Sequence, residues 1–317
     1  MIKRLSFTLL GFMLGMPVLK AQGPLDCGKY SIATTKQGQV CHRVGILPWF
    51  VGIPGVWDTE LRLGVAGDTV RFSFVSSLSL NYYDANLIVE DSEFGSTSFE
   101  ALSEMDLPKY GSHWTRILGA CHALAGQCPT VSATGSMIVT AEAPSAAALD
   151  AVSAFGVYTN SSNGKVVSQA TAPLIFQDQA AARWSANIME TPLDRRSQPG
   201  APTTTFAVAN LSPDSQAVLI RVYDERGNLA ASGATPVLGQ ALGFSGANDV
   251  LVGGVYADTL ANVLGVNLPS SYCSGCANAT VFRGTVVLEG EKGGLIAPVV
   301  FRVTGSVLTA VPVIASR

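Results

Sequence analysis

The chain has 317 residues, of which 48% are hydrophobic and 14% charged, and its formal net charge is -3. This composition supports a buried core and excludes a wholly disordered chain or a coiled coil. The balance of charges gives no electrostatic basis for nucleic-acid binding. At roughly 150 residues per domain, the length predicts two domains.

The first 23 residues have the pattern of a secretory signal peptide. Lys3 and Arg4 precede an apolar run over 5–18, and small residues follow up to Gly23, as a cleavage site requires. The run is shorter than the ~20 residues of a membrane helix, and no later segment replaces it. We therefore predict a signal peptide over 1–23 and a mature protein that is secreted or periplasmic, with no membrane span.

All six cysteines follow this segment, and an even number of cysteines in an exported chain indicates disulfide bonds. Other pairings are open, but proximity in sequence favours three local bridges: Cys27–Cys41, Cys121–Cys128 and Cys273–Cys276. The C-x-x-C spacing of the last pair would also suit a redox motif. Its Asn/Ser/Gly-rich surroundings favour a structural bridge, because redox pairs of this kind lie at a strand-to-helix turn.

Beyond Cys41 the chain consists of short apolar or alternating runs separated by turn-forming residues, which is typical of β-strands. Apolar and polar residues alternate over Thr59–Val65 and again from Val70, as in half-buried strands. The other runs that predict strands are 136–142, 152–158, 165–176, 205–210, 217–223, 285–289, 299–303 and 307–314. Two helices are predicted, a weaker one over 98–105 and one over 256–265 that Gly265 ends.

The two halves of the chain show a weak internal repeat with a period of about 140 to 150 residues. The matching segments begin at Asp68 and Asp214, at Gly135 and Gly284, and at Lys165 and Ser306. The first copy has an insertion near 76–107. We predict an all-β protein of two tandem antiparallel β-sandwiches over 24–178 and 179–317, each with at most one short helix.

Three motifs of the second copy carry a resemblance to a known family. An Asn210-Leu-Ser-Pro turn leads into a strand, a Tyr223-Asp-Glu-Arg-Gly hairpin follows, and a helix precedes the strand that begins at Gly284. This arrangement resembles uncharacterised secreted bacterial proteins with tandem immunoglobulin-like β-sandwich repeats. The likeness covers most of 203–314 and only loosely 48–176. It implies a sandwich fold, and it supplies no activity and no catalytic residues.

The sequence contains no catalytic, metal or cofactor motif that specifies a reaction. Ser245 lies in a Gly-rich turn, but the G-x-S-x-G elbow would need Gly at Ala247, so a surface turn is favoured. A group of acids could hold Ca²⁺, yet without a calcium-loop pattern a solvated loop is favoured. The acids of this group are Asp84, Glu90, Asp91 and Glu93.

The aromatic residues near the start of the first copy are the candidate binding residues. Trp49 and Trp57 flank prolines, and if exposed they could form a stacking platform for sugars. Packing at the open end of the sandwich core is the favoured alternative, because large aromatics are highly buried on average. In a packed core, Trp57→Ala should cost ~3 to 5 kcal/mol of stability.

These features predict a non-enzymatic binding or adhesion module that uses no cofactor and recognises an extracellular protein or carbohydrate. The alternative is a secreted hydrolase with a loop-built site at a sandwich end, formed by acids such as Asp84 and Glu90 or by Ser245. A pocket that gathers titratable groups would favour the enzyme, and an aromatic strip would favour the binding module.

Overall fold

A computed structural model describes residues 25–36, 38–78, 85–91, 95–99, 103–122, 130–191, 200–239, 254–265, 268 and 281–316. The strands in the first part of the chain are β1 (Ser31–Thr35), β2 (Gly38–Gly52), β3 (Trp57–Val65), β4 (Val70–Leu78), β5 (Ala85–Asp91), β6 (Gly95–Phe99), β7 (Ser103–Leu107), β8 (Ser112–His122), β9 (Thr130–Val131), β10 (Ala133–Ala143), β11 (Val152–Ser162), β12 (Lys165–Pro173) and β13 (Ile175–Phe176). Those in the second part are β14 (Arg183–Glu190), β15 (Pro202–Asn210), β16 (Val218–Asp224), β17 (Leu229–Ala234), β18 (Val255–Thr259), β19 (Phe282–Gly290), β20 (Ile296–Thr304), β21 (Val307–Val311) and β22 (Ile314–Ser316). The short helices are α1 (Ala146–Asp150) and α2 (Leu260–Leu264), and 3₁₀ turns lie at Gln177–Gln179 and Glu291–Gly293.

The strands form four antiparallel sheets that pair as two sandwiches. Sheet A has the order β1-β2-β10-β4-β7 with β13 on β2, and sheet B has the order β12-β11-β3-β8-β5-β6 with β9 on β8. Together they form the first sandwich. The second sandwich combines sheet C, ordered β17-β16-β19-β14-β22, with sheet D, ordered β18-β15-β20-β21. The predicted all-β fold of two sandwiches is confirmed.

The two sandwiches repeat one pairing pattern. In sheet A β10 lies between β2 and β4, as β19 lies between β14 and β16 in sheet C. In sheet B β11 lies between β3 and β12, as β20 lies between β15 and β21 in sheet D. The last strand of each sandwich returns to the first sheet, since β13 pairs with β2 and β22 with β14. The internal repeat in the sequence therefore corresponds to a repeated topology.

The burial of the strands explains why some runs alternate and others do not. In β16 Val218, Ile220 and Val222 are buried while their neighbours are partly exposed, as expected when one face of a sheet covers a core. In β2 almost every residue from Cys41 onward is buried. Both faces of β2 are covered, because one faces sheet B and the other receives the second sandwich.

The two sandwiches pack directly against each other. Strand β2 contacts β15, β18 and β20 of sheet D. Ile46 and Ile138 of sheet A share a buried apolar cluster with Phe206 of sheet D. A hydrogen bond also crosses the junction: Asn160 Nδ2 of the first sandwich donates to the carbonyl oxygen of Ser306 of the second at 2.7 Å. The predicted division at residue 178 falls in the 3₁₀ turn between β13 and β14 and stays a prediction.

The two predicted helices have different outcomes. The helix predicted over 256–265 is present but shorter, with Thr259 Oγ1 accepting the Asn262 N–H at its start and Gly265 at φ +61° at its end. The helix predicted over 98–105 is wrong, because β6 and β7 occupy the described residues there. Cross-strand pairing of Ser98 with Ile88 and of Met105 with Phe72 outweighs the local helical pattern.

Helix α1 was not predicted, and Ser145 caps its first turn. Across the described ranges, neither helix reaches the length and apolarity that crossing a bilayer would demand.

Candidate functional site

Trp49, one of the two candidate binding residues, lies at the junction of the sandwiches. Its ring stacks on Tyr158 with ring centroids 5.9 Å apart, and it lies 5.9 Å from the Phe301 ring of the second sandwich. The Tyr158 hydroxyl donates a hydrogen bond to the Trp49 carbonyl oxygen at 2.5 Å. These contacts favour a packing role for Trp49, and its predicted role in binding a ligand is not supported by them.

Trp57, the second candidate, follows a tight turn between β2 and β3. Pro54 and Gly55 are its central residues, Gly55 has φ +73°, and the Val56 N–H donates to the Ile53 carbonyl oxygen at 2.9 Å. Proline followed by a residue with positive φ is the signature of a type II turn. The turn leaves Pro54 and Val56 exposed and holds Trp57 half-buried against the first sandwich core.

A cleft of about 380 Å³ opens beside this turn. The turn supplies one wall, and strands β5, β8 and β11 supply the others. Its lining is mostly apolar and consists of Ile53, Pro54, Gly55, Val56, Trp57, Asp58, Ile88, Leu118 and Ser161. We refer to it as the hairpin cleft. An apolar wall with one aromatic ring and few polar groups is the usual composition of a small-ligand site.

Among the described residues that line the hairpin cleft, Asp58 is the only ionisable one. Burial raises the pKa of its carboxyl above the usual range, and the nearby Arg116 guanidinium opposes this shift. Asp58 Oδ1 lies 3.5 Å from Arg116 Nε, yet neither atom has a hydrogen-bond partner in the described structure. The Asp58 side chain keeps 19% of its surface exposed, although its unpaired Oδ1 atom is itself buried.

Arg116 connects the hairpin cleft to a row of charges on the outer face of sheet B. Its guanidinium lies 3.5 Å from Glu60 and 3.3 Å from Glu90, and Glu60 also pairs with Arg62. These residues are directly opposite one another across β3, β8 and β5, so their side chains share one face. The cleft therefore ends in a surface on which acidic and basic side chains form ion pairs.

The predicted calcium and hydrolase residues are only partly described. Glu90 is engaged by Arg116, which favours an ion-pair role for this acid. Asp84, Glu93 and Ser245 lie outside the described residues, and the Asp91 side chain lies outside them as well. Within the described ranges no three His, Cys, Asp or Glu side chains gather in a way that could hold a metal ion.

One of the three predicted disulfide bonds is present, between Cys27 and Cys41. It joins the segment before β1 to β2 and belongs to the first sandwich core. Cys128, Cys273 and Cys276 lie outside the described residues, so the Cys121–Cys128 and Cys273–Cys276 bridges stay predictions. A disulfide bond is consistent with an extracytoplasmic protein.

The sequence analysis singled out Trp57 but missed Asp58 and Arg116. The signal was present, because alternation along β3 places Asp58, Glu60 and Arg62 on the face opposite the core residues Leu61 and Leu63. Only the sheet order brings the arginine of β8 next to them.

Comparisons with known proteins give no identity that could be transferred to this site. No protein-family model matches the chain, and no curated protein matches it. The resemblance stated above is therefore supported only at the level of an all-β protein with four antiparallel sheets. The function of the hairpin cleft has to be inferred from its own residues.

Proposed function

We propose that this protein is a secreted or periplasmic, non-enzymatic binding or adhesion module that uses no cofactor. Its partner is an extracellular protein or a carbohydrate, and the hairpin cleft is where the partner binds. The observation that carries this proposal is the exposed apolar turn at Pro54 and Val56, which borders a cleft containing Trp57 and Asp58. We also propose that both sandwiches are immunoglobulin-like, as the resemblance implies.

The chemistry of the hairpin cleft supports recognition better than turnover. Ile53, Trp57 and Leu118 offer apolar surface to a sugar ring or an apolar side chain, and Asp58 can accept hydrogen bonds from hydroxyl or amide donors. Hydrolysis of a glycoside would need two carboxyl groups on opposite sides of the scissile bond. Among the described residues that line this cleft, Asp58 is the single carboxylate.

A pair of valine substitutions tests the proposal. Val56 is 44% exposed at the turn and Val166 is 61% exposed on β12, so Val56→Asp and Val166→Asp add the same charge to similar surroundings. Both variants should unfold within about 0.5 kcal/mol of the wild type, as surface changes usually do. Labelled protein would be applied to a glycan array and to a panel of immobilised extracellular-matrix proteins.

We expect saturable binding to one panel member, lost in Val56→Asp and retained in Val166→Asp. Equal loss in both variants would place the binding surface elsewhere and contradict the role of the hairpin cleft. The same preparations would be assayed on ester, peptide and glycoside substrates. Turnover without binding to either panel would replace the binding module with the secreted hydrolase.

A further inference from the structure

A second cleft, of about 490 Å³, lies at the other side of the first sandwich, on the outer face of sheet A. It is distant in topology from the hairpin cleft, since β1, β2, β4, β7 and β10 form its edges. Its lining residues are Thr35, Val40, Asp68, Thr69, Arg71, Asp106, Lys109, Glu142, Ala143 and Pro144. We refer to it as the sheet A cleft.

Three of the charged lining residues form one row across the sheet. Glu142 of β10 is directly opposite Arg71 of β4, and Arg71 is directly opposite Asp106 of β7. Residues opposite one another in adjacent strands project from the same face. Arg71 Nε donates to Asp106 Oδ1 at 3.1 Å, and Arg71 Nη1 lies 3.9 Å from Glu104. The guanidinium is therefore turned toward the carboxylates of β7.

Glu142 has no close ion pair in this row among the described residues, and Arg71 acts on it only as a nearby charge. It is half-buried, and within the described part of the chain it has neither a hydrogen bond nor an ion pair. Burial raises the pKa of its carboxyl, and Arg71 opposes the shift only as a nearby charge. Two carboxylate side chains of the first sandwich that are largely buried have close partners, as Glu60 has Arg62 and Asp178 has Arg43.

The residues around Glu142 indicate which class of ligand could pair with its carboxylate. The cleft carries three carboxylates against two cations, so its net charge is negative and favours a cation. Because no described group of three ligating side chains is present, a metal ion is a poor fit. Val40 and Pro144 provide apolar walls along which methylene groups can lie.

We propose that the sheet A cleft binds an aliphatic primary amine, whose ammonium group pairs with Glu142 and whose methylene chain packs on Val40 and Pro144. The amine can belong to a lysine side chain of a peptide or to a free polyamine, since both present the same chemistry. A second ammonium group can reach Asp68, an exposed carboxylate on the rim. The inference is independent of the function proposed for the hairpin cleft.

Calorimetric titration of the full chain at low ionic strength tests the proposal. The probes are cadaverine, Nα-acetyl-lysine methylamide, and 1,5-pentanediol as a neutral molecule of the same length as cadaverine. We expect saturable binding of at least one amine and none of the diol. Binding of cadaverine alone identifies a polyamine site, and binding of the lysine derivative identifies a peptide site. A titration in which neither amine binds, or in which the diol binds equally well, overturns the proposal.

Two variants locate the site. Glu142→Gln removes the unpaired carboxylate without changing its shape and should weaken amine binding about tenfold or more, as loss of a charged hydrogen-bond partner does. Glu225→Gln, in an exposed turn of the second sandwich, changes the net charge equally and should leave binding within about twofold. Equal weakening in both variants would show nonspecific attraction and contradict the proposal.

A third variant, at Lys109, is expected to strengthen amine binding instead of weakening it. Lys109 lies on the rim of the sheet A cleft and should repel an ammonium group. Lys109→Gln should therefore strengthen amine binding by about two- to threefold at low salt, and the gain should shrink as salt screens the charge. Weaker binding in Lys109→Gln would contradict the proposed pose.

Discussion

The two sandwiches share one order of strands, but their polar interiors are built from different chemistry. The first sandwich contains a buried ionic network around Arg43, and the second contains a neutral amide network around Asn210. Both pair most of the polar groups that they bury, and Gln216 Oε1 of the amide network is the exception among the described residues of the two networks. The comparison shows that one topology accepts a charged or a neutral network in its interior.

In the first sandwich, Arg43 of β2 holds three separate segments together. Its guanidinium donates to both carboxylate oxygens of Asp178, at 2.9 and 3.2 Å, and to the Leu149 carbonyl oxygen of α1 at 3.0 Å. It also lies 3.7 Å from the centre of the Phe176 ring. Because Asp178 lies in the 3₁₀ turn before β14, the network fixes the chain where it leaves the first sandwich.

In the second sandwich, Asn210 uses both ends of its amide. Its Nδ2 donates to the carbonyl oxygens of Asp214 and Gly239, each at 2.8 Å, while its Oδ1 accepts from Ser212 N and Gln216 Nε2. Asn210 is fully buried. An asparagine that supplies donors and acceptors together explains why the Asn-x-Ser-Pro turn begins with this residue.

The largest effect is expected when the ionic network is broken. Arg43→Ala removes the bidentate partner of Asp178, whose side chain is only 14% exposed, and leaves it the more distant, exposed Lys29 at 3.5 Å. We expect a loss of about 3 to 5 kcal/mol in the free energy of unfolding, measured by calorimetry. Arg43→Lys keeps the charge but cannot form the two parallel bonds, so its loss should be smaller yet clear. A loss below about 1 kcal/mol in Arg43→Ala would contradict the view that Arg43 holds the ionic network of the first sandwich together.

Breaking the amide network should cost less, because no charge is left behind. Asn210→Ala strips the hydrogen bonds from four neighbouring polar groups, which should lower stability by about 2 to 4 kcal/mol. Asn187→Ala is the matched control, since Asn187 is exposed on β14 and makes one long hydrogen bond, to Thr285 at 3.3 Å. It should change stability by less than about 0.5 kcal/mol. Similar losses of stability in Asn210→Ala and Asn187→Ala would show that the buried amide network contributes no more than an exposed asparagine does.

The sandwich fold was predictable because strand alternation and turn residues are local signals. Alternation in 217–223 corresponds to β16, and Gly265 ends α2. The repeat was detectable because the same strands recur in the same order. The junction was not predictable, since continuous burial of β2 depends on a second sandwich that packs on its outer face.

The candidate site was predictable only in part, because it too depends on contacts between strands that are distant in sequence. Trp57 could be singled out from its place in an aromatic and proline-rich segment, but its half-buried position depends on how the turn folds onto β5 and β8. Glu142 gave no sequence signal at all. What distinguishes it is that Arg71, directly opposite, is turned toward β7.

Trp57→Ala tests how deeply the Trp57 ring is packed in the first sandwich. Because the ring is half-buried, the expected loss is about 2 kcal/mol, below the range for a fully packed aromatic. Binding through the hairpin cleft should be lost as well. Val56→Ala is the control for the turn, and it should leave the melting temperature within a few degrees of the wild type. A loss of 3 kcal/mol or more in Trp57→Ala would show that the ring packs as a core residue.

The smallest effect is expected at Glu142 and depends on pH. Burial raises the pKa of this carboxyl in the folded state, so ionised Glu142 opposes folding. The opposition is absent where both states are protonated, below about pH 4, and it grows as the pH rises through the usual glutamate value toward the folded pKa. Glu142→Gln should therefore be more stable than the wild type by up to about 1 kcal/mol at pH 7, since solvent screening limits the effect. The difference should vanish near pH 3.5 in matched denaturant titrations, and a variant less stable than the wild type at pH 7 would show that Glu142 has a stabilising partner after all.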